Sequence, residues 1–258
     1  MSNVDLSRLT AIVRTCDRPK SIERLIRSIG WVHPQLRVLV ADDSRKSKPI
    51  TGADLVRMPA DIGVAACRNA LLARVRTPYF LLLEEDMELD RNSGVERLLA
   101  LVAESRLDLA SGDLLACRRR FGLFTSRRPA PAHATFEFAA STLKVIPGHR
   151  LAGDDFKMCD LTHNFFVART DKVRALGGWD PQLLVDERVE FFVRAFRFGM
   201  RIGFVPQSVA ARWEDAKADA QTRHGRDFQS LAVAKMGLAR LTDAEGQTHE
   251  AAAHARVA

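Results

Sequence analysis

Residues 79–89 read YFLLLEEDMEL, an apolar run from Tyr79 to Leu83 that stops at Glu84, Glu85 and Asp86. A short unbroken apolar run ending in acids describes a strand buried on both faces of a parallel sheet. Its carboxyl end then opens into the crevice where open α/β sheets bind ligands. Carboxylates crowded at one point repel one another, so unless they are solvated or partly protonated they call for a cation, and all-oxygen ligation suits Mg2+ or Mn2+. A metal held there suits a diphosphate. The plainer reading of the same residues is an acidic turn after a strand.

On either side, strand-like runs alternate with amphipathic stretches, as in consecutive βαβ units. Strands are expected over 9–14, 36–41, 55–58 and 107–116, and helices over 64–75 and 95–104. A further helix is expected over 21–29, where Ile22, Leu25, Ile26 and Ile29 recur at helical spacing behind Pro19. Residues 118–131 lose periodicity and gain arginine and proline, as a mobile loop does. Residues 135–146 alternate imperfectly, as at the edge of the sheet, and 164–168 form a short strand. Gly177 and Gly178 precede Trp179, and 187–198 form an apolar-faced helix ending near Gly199. Residues 247–258 are small and alanine-rich and are expected to be a disordered tail.

The 258 residues, 47% apolar, suffice for one large α/β domain. No run of eighteen apolar residues and no leader-like amino-terminal segment occurs, which makes the cytoplasm the expected compartment. Cys16, Cys67, Cys117 and Cys159 are widely spaced and form no CxxC pair, so they read as reduced thiols. A net charge of +7 implies attraction to anions, among them phosphorylated substrates, nucleic acid and an acidic membrane surface. Nucleic acid is disfavoured, because no recognition motif and no stripe of interleaved basic and aromatic residues is present. The densest basic cluster, Arg118, Arg119, Arg120, Arg127 and Arg128, surrounds Phe121, Leu123 and Phe124. It reads as a solvated loop, with docking to an anionic acceptor or, peripherally, to the inner face of a membrane as the second reading.

Polar residues recur in the loops after the first-half strands: Thr15, Asp17 and Arg18; Asp42 and Asp43; 63–69; and Glu84 to Asp86. In a sheet of βαβ units these loops converge on one edge. Their chemistry suits a nucleotide, with carboxylates accepting from base N–H or ribose hydroxyls, arginine pairing with phosphate and a metal bridging the diphosphate. There is neither a GxxxxGK[ST] loop nor a GxGxxG after the first strand.

The segments VRTCDRPKS (13–21), VADDS (40–44), GVAACRN (63–69) and YFLLLEED resemble, in order and spacing, inverting GT-A glycosyltransferases of the family 2 type. CDLTHNFFVART (159–170) and VEFF (189–192) look like the ganglioside β-1,4-N-acetylgalactosaminyltransferase branch and its bacterial relatives. The resemblance, over about residues 9–213, implies an α/β, GT-A-like (Rossmann-like) fold. Its mostly parallel central sheet is flanked by helices and joined by a smaller acceptor-side subsheet. It also implies a single domain over 1–246, with a donor half about 9–116 and an acceptor half about 132–240.

By position, the resemblance puts Thr15, Asp17, Arg18 and Asp42 at the uracil end of a UDP-sugar, with Asp43 close by, and Arg68 at the base or diphosphate. It makes Glu84 to Asp86 the metal motif, with the first acid facing ribose and Asp86 the ligand of Mn2+ or Mg2+. Relatives usually carry aspartate first; glutamate moves the carboxylate outward by about 1.5 Å. Many relatives place a histidine ligand after the last strand, where this chain reads ARWED with Trp213.

Inversion needs a base opposite the leaving diphosphate. Asp186, Glu187 and Glu190 are the candidates; the resemblance favours Glu187, with Asp186 next and Glu190 either positioning the acceptor or pairing with Arg194. The competing reading is that these acids only favour a helix amino-terminus. For the acceptor, His163 is a ligand or a hydrogen-bonded structural residue, and Trp179 a sugar platform or core. The expected partners are a nucleotide-sugar donor and a glycan or lipid-linked glycan acceptor. The rivals are a sugar-nucleotide-binding protein without transfer activity, a sugar-phosphate nucleotidyltransferase and a nucleic-acid-binding module.

Overall fold

The computed structural model describes residues 4–120, 124–130, 133–214 and 227–252. The first half supplies β1 (Leu9–Thr15), α1 (Pro19–Val32), β2 (Arg37–Asp42), β3 (Asp54–Arg57), α2 (Val64–Arg74), β4 (Tyr79–Glu84), β5 (Met87–Glu88), α3 (Val95–Ala103) and β6 (Leu109–Arg120). The second half begins with β7 (Phe124–Pro129), β8 (Ala134–Ala139), β9 (Thr142–Pro147), β10 (Leu151–Ala152), β11 (Lys157–Met158) and β12 (Phe166–Arg169). It ends with α4 (Thr170–Ala175), α5 (Glu187–Arg197), β13 (Ile202–Trp213), α6 (Phe228–Lys235), β14 (Arg240–Thr242) and β15 (Thr248–Glu250).

Strands β3, β2, β1 and β4 lie side by side and parallel. Alternation along them fills two cores. Ala11, Val13, Leu81 and Leu83 face α1 and α3 through Ile22, Leu25, Leu98 and Val102. Ile12, Phe80 and Leu82 face α2 and α5 through Leu71, Leu72, Phe191 and Phe192. Burial on both faces explains the unbroken apolar run of β4. The connection order reverses between β1 and β4, which places the switch-point crevice at Thr15 and Glu84.

Beyond β4, β12 runs antiparallel and joins it to β6, and β6 pairs in parallel with β13. A second, four-stranded sheet, in the order β15-β14-β9-β8, packs through Phe136, Leu143, Val145 and Leu241 into the core of α5. The architecture is the α/β one expected, a large central sheet flanked by helices with a smaller subsheet. Among the described residues no helix is long and apolar enough to cross a membrane, and all four cysteines are free and buried.

Three local expectations are corrected, and one strand was not foreseen. The arginine-rich stretch is not a loop: β6 continues to Arg120 and pairs with β7 from Leu115↔Pro129 to Arg120↔Phe124. Exposed polar residues on both strands had hidden the period; 121–123 lie outside the described residues. Residues 135–146 leave the main sheet and fold into the β8–β9 hairpin, turning at Ala140 with φ 50°. The tail is ordered at Thr248–Glu250, which pairs with β14, while 253–258 lie outside the described residues. Finally, β13 carries no strand signature because Pro206 falls at a register shift between Phe204 and Val209, the kind of bulge a strand proline occupies.

Candidate active site

The chain leaves β1 at Thr15 and turns through Asp17, whose φ of 56° is unusual for a residue with a side chain. The Asp17 N–H donates to Ser44 Oγ at 2.6 Å, tying the loop after β1 to the loop after β2. Asp42, buried at the end of β2, accepts from the Ser44 N–H at 2.9 Å and from the Ser47 hydroxyl, with Arg57 at 3.6 Å. Around it Thr15, Asp17, Arg18, Ser44, Lys46 and Lys48 line an open slot.

Asp43 does not face that slot. Its carboxylate is fully buried and paired bidentately with Arg14 at 2.7 and 2.8 Å, and it also accepts from the Gly63 N–H at 3.3 Å. Burial disfavours the Arg14 charge, but this pair raises its pKa above the ordinary value. Asp43 therefore braces β1, β2 and the entry to α2 instead of contacting a nucleotide.

Beside the slot a cleft of about 130 Å³ is lined by Arg14, Arg18, Val64, Arg68, Leu83, Glu84, Glu85 and Asp86. Arg18 borders both spaces. The three acids have separate surroundings. Glu84 accepts from Asn164 Nδ2 at 2.8 Å and faces Arg68 at 3.5 Å. Glu85 turns inward, accepting from the Thr15 hydroxyl and, at 3.2 Å, from the Cys16 N–H, with Arg18 at 3.6 Å. Burial pushes its carboxyl up to about 7, opposed by these donors. Glu85 is thus a tie between β4 and β1 at the cleft floor, not a free ligand group.

Asp86 is pushed up to about 6, first by burial and then by the neighbouring Glu84 charge. Its Oδ1 is buried and accepts no hydrogen bond, a costly state unless a ligand completes it. Among the described residues no three His, Cys, Asp or Glu side chains cluster into a self-sufficient metal site. Mg2+ and Mn2+ fit this arrangement, because such cations bind through one or two carboxylates and take their other ligands from phosphate and water. Trp213 stands beside Asp86, its N–H donating to the Asp86 carbonyl at 2.8 Å and its indole N–H to Glu88 at 2.5 Å. It offers no ligand atom, and residues 215–226 lie outside the described residues.

Arg68, on α2, donates to Glu187 at the start of α5 and lies 5.6 Å from the Trp179 ring centroid. Trp179 itself is core: 1% exposed, it stacks on Phe191 at 4.9 Å and meets Phe80 edge-on. Its role as a sugar platform is corrected to that of a backing for Arg68. Glu190 is committed to Arg194 at 2.5 and 2.9 Å, and Arg194 also donates to the Leu176 and Gly178 carbonyls. It is a structural acid. His163 is likewise buried, with Nε2 2.5 Å from the Ala130 carbonyl, and burial pushes it down to about 4, so it is neutral at pH 7. This is the hydrogen-bonded, buried placement among the two that the sequence allowed. Asp186 is half-buried at the α5 N-cap with φ 61°.

Sequence reasoning missed Arg14, Lys46, Lys48 and Ser47 as parts of this region. Arg14 is one residue before the strand end and across the sheet from Asp43, a pattern visible only once β1 and β2 are paired in register. The basic run after Asp43 was the available signal for the two lysines.

No family model matches the chain. It is 33% identical over 193 residues to human β-1,4 N-acetylgalactosaminyltransferase 1, covering 72% of this chain and 35% of that protein. The mouse β-1,4 N-acetylgalactosaminyltransferase 2 is 29% identical over 190 residues, again covering 72% of this chain and 35% of its own. A pre-mycofactocin glycosyltransferase of Mycobacterium tuberculosis is 25% identical over 223 residues, 79% of this chain and 42% of that one. The chain therefore spans between about a third and two fifths of the length of these curated relatives. Among solved structures, GalNAc-T7 with UDP, GalNAc and Mn2+ superposes with a TM-score of 0.71 at 15% identity, covering 92% of this chain and 48% of that one. S. aureus TarS 1-349 with UDP-GlcNAc superposes with a TM-score of 0.63 at 14% identity, covering 88% and 66%. The chain carries the GT-A glycosyltransferase fold and is a relative, by sequence, of the β-1,4-N-acetylgalactosaminyltransferases.

Proposed function

We propose that this protein transfers a hexosyl or N-acetylhexosaminyl group from a UDP-sugar to a hydroxyl of a glycan, free or lipid-linked, with inversion at the transferred carbon. The observation that carries this reading is the junction of two spaces at the carboxyl ends of β1, β2 and β4. One is a slot around Asp42 and the other an acidic cleft with an unsatisfied Asp86 oxygen, and Arg18 borders both. The names of the relatives and the UDP, UDP-GlcNAc and Mn2+ of the superposed structures support the same chemistry.

In this mechanism Asp42 and the Thr15–Arg18 loop hold the nucleoside, while Arg18 and Arg68 take the diphosphate by charge-assisted hydrogen bonds. Asp86 would hold a Mn2+ or Mg2+, whose charge would offset that of the leaving diphosphate. Glu84, held by Asn164, faces the ribose. Glu187, buried at the amino end of α5 and accepting from Arg68, removes the acceptor proton once the diphosphate competes for Arg68 and frees its carboxylate. Asp186 is the alternate base.

A second reading, a sugar-nucleotide-binding protein without turnover, is motivated by glutamate in the first position of the acidic motif. Calorimetry with UDP and Mn2+, paired with a donor-hydrolysis assay over a panel of UDP-sugars, separates the two. Binding followed by turnover supports transfer; tight binding with no turnover on any donor favours the second reading, and no binding removes both.

A further inference from the structure

Just past the acidic motif, lined in part by Glu88, Leu89 and Asp90, lies a cavity of about 630 Å³, larger than the cleft or the slot and sharing no lining residue with either. Its size is within the range of small-molecule sites. One wall is the outer face of α1. Arg24, Arg27, Ser28 and Trp31 recur there at helical spacing, while Ile22, Leu25, Ile26 and Ile29 face the core. Ser28 fixes the helix to the far wall, its Oγ accepting from the Leu89 N–H at 3.0 Å. The remaining walls come from β5, β6, β7 and the end of β13.

Three features of the lining point to one kind of ligand. Trp31 is 72% exposed at the rim even with the Arg91 guanidinium 6.0 Å from its ring centroid. Arg27 and Arg127 form no ion pair with any described residue, whereas Arg24 and Arg119 lie 5.2 Å from the Trp213 ring. The two acids of the lining are already engaged: Glu88 accepts from the Trp213 indole, and Asp90 accepts from the Asn92 N–H at 2.8 Å. Guanidinium groups without carboxylate partners bind phosphate or carboxylate bidentately, and an indole face stacks on a sugar ring.

We propose that this cavity is a second binding site, for a saccharide bearing an anionic group, phosphate or carboxylate, with Trp31 beneath the ring and Arg27 and Arg127 on the anion. Trp213 is the partition between this cavity and the cleft, since its ring lines the cavity while its backbone N–H holds the Asp86 carbonyl. The site does not depend on the transfer reading, because it needs neither UDP nor a metal.

The test is calorimetry and tryptophan fluorescence on the full chain with maltose 1-phosphate, a glucuronyl-glucose disaccharide and neutral maltose, each with and without saturating UDP and Mn2+. Binding of either charged sugar at least tenfold tighter than maltose, unaffected by UDP, is the expected result, and which one binds names the anion. Trp31→Ala is expected to weaken that binding at least tenfold. Arg27→Ala with Arg127→Ala is expected to abolish the preference for charge, and all three leave the thermal shift by UDP unchanged. Equal binding of charged and neutral sugars, competition by UDP, or affinity for anionic vesicles in place of the saccharides overturns the proposal. These exposed positions leave the core intact, so loss of binding is not loss of fold.

Discussion

Arg68 in α2 and Glu187 at the start of α5 meet as a buried ion pair across 119 residues of sequence. The pair joins α2, which borders the acidic cleft, to α5, which begins with the proposed base. Its partners on either side, Glu84 at 3.5 Å and the Trp179 ring, fix where the guanidinium sits.

Removing the arginine leaves Glu187 buried without a counter-charge. Arg68→Ala is expected to lower folding stability by about 3–5 kcal/mol, the usual cost of breaking a buried pair from one side. Glu187→Gln keeps a hydrogen-bonding group of the same size. It is expected to leave UDP affinity within about twofold while transfer falls at least a hundredfold; equal turnover moves the base to Asp186. Urea unfolding, calorimetry and a transfer assay check the three quantities.

Asp86→Asn is expected to abolish Mn2+-dependent donor hydrolysis, since the carboxylate with the unsatisfied Oδ1 is gone. Because the carboxyl of the wild type is raised to about 6, protons compete with the metal below that pH. Apparent Mn2+ affinity of the wild type should therefore rise between pH 5 and pH 7, and an assay of the variant should show no such rise. Unchanged hydrolysis by the variant would take Asp86 out of the mechanism.

His163 supplies a stability prediction of opposite origin. Its folded pKa is depressed, to about 4 from 6.5, so between these values the unfolded chain binds the additional proton. Stability is fully present above pH 6.5 and declines as pH falls toward 4. In His163→Gln the dependence of urea-unfolding free energy on pH should be shallower in that window, by up to one proton, roughly 1.4 kcal/mol per pH unit. An identical slope would show that burial of the ring does not carry the effect.

Trp179 distinguishes core from platform. Trp179→Ala is expected to cost about 3–5 kcal/mol, as large aromatic truncations in cores do. Trp179→Phe, which keeps the stack on Phe191, should retain most of the stability and acceptor KM. A raised acceptor KM in the phenylalanine variant without loss of Tm would restore the platform role.

Much of the first half was legible before any coordinates. In β1, β2, β4 and α1 each strand is buried on both faces or each helix on one, so the apolar period reports the element directly. The convergence of Thr15, Asp42 and Glu84 follows from that order alone. What stayed hidden depended on partners distant in sequence. The fate of Asp43 depended on Arg14 across the β1–β2 register, and that of Glu85 on Thr15 and Cys16. Trp179 gave no sign by itself of whether Phe191 would cover it. The β6–β7 hairpin escaped for another reason: its arginines lie on exposed strands, where hydrogen-bond pairing, not hydrophobic burial, holds the shape.

Strand β12 carries a consequence for how the molecule works. It is the one reversed strand between two parallel blocks, hydrogen-bonded on one edge to β4, which ends in the acidic motif, and on the other to β6, which leads to the hairpin. A swing of one block against the other would have to unzip that ladder, which makes the centre of the sheet an unfavourable place for a hinge. Under the proposed reaction, opening and closing are expected of segments at the rim, with the strand-borne groups of the two sides held at one spacing.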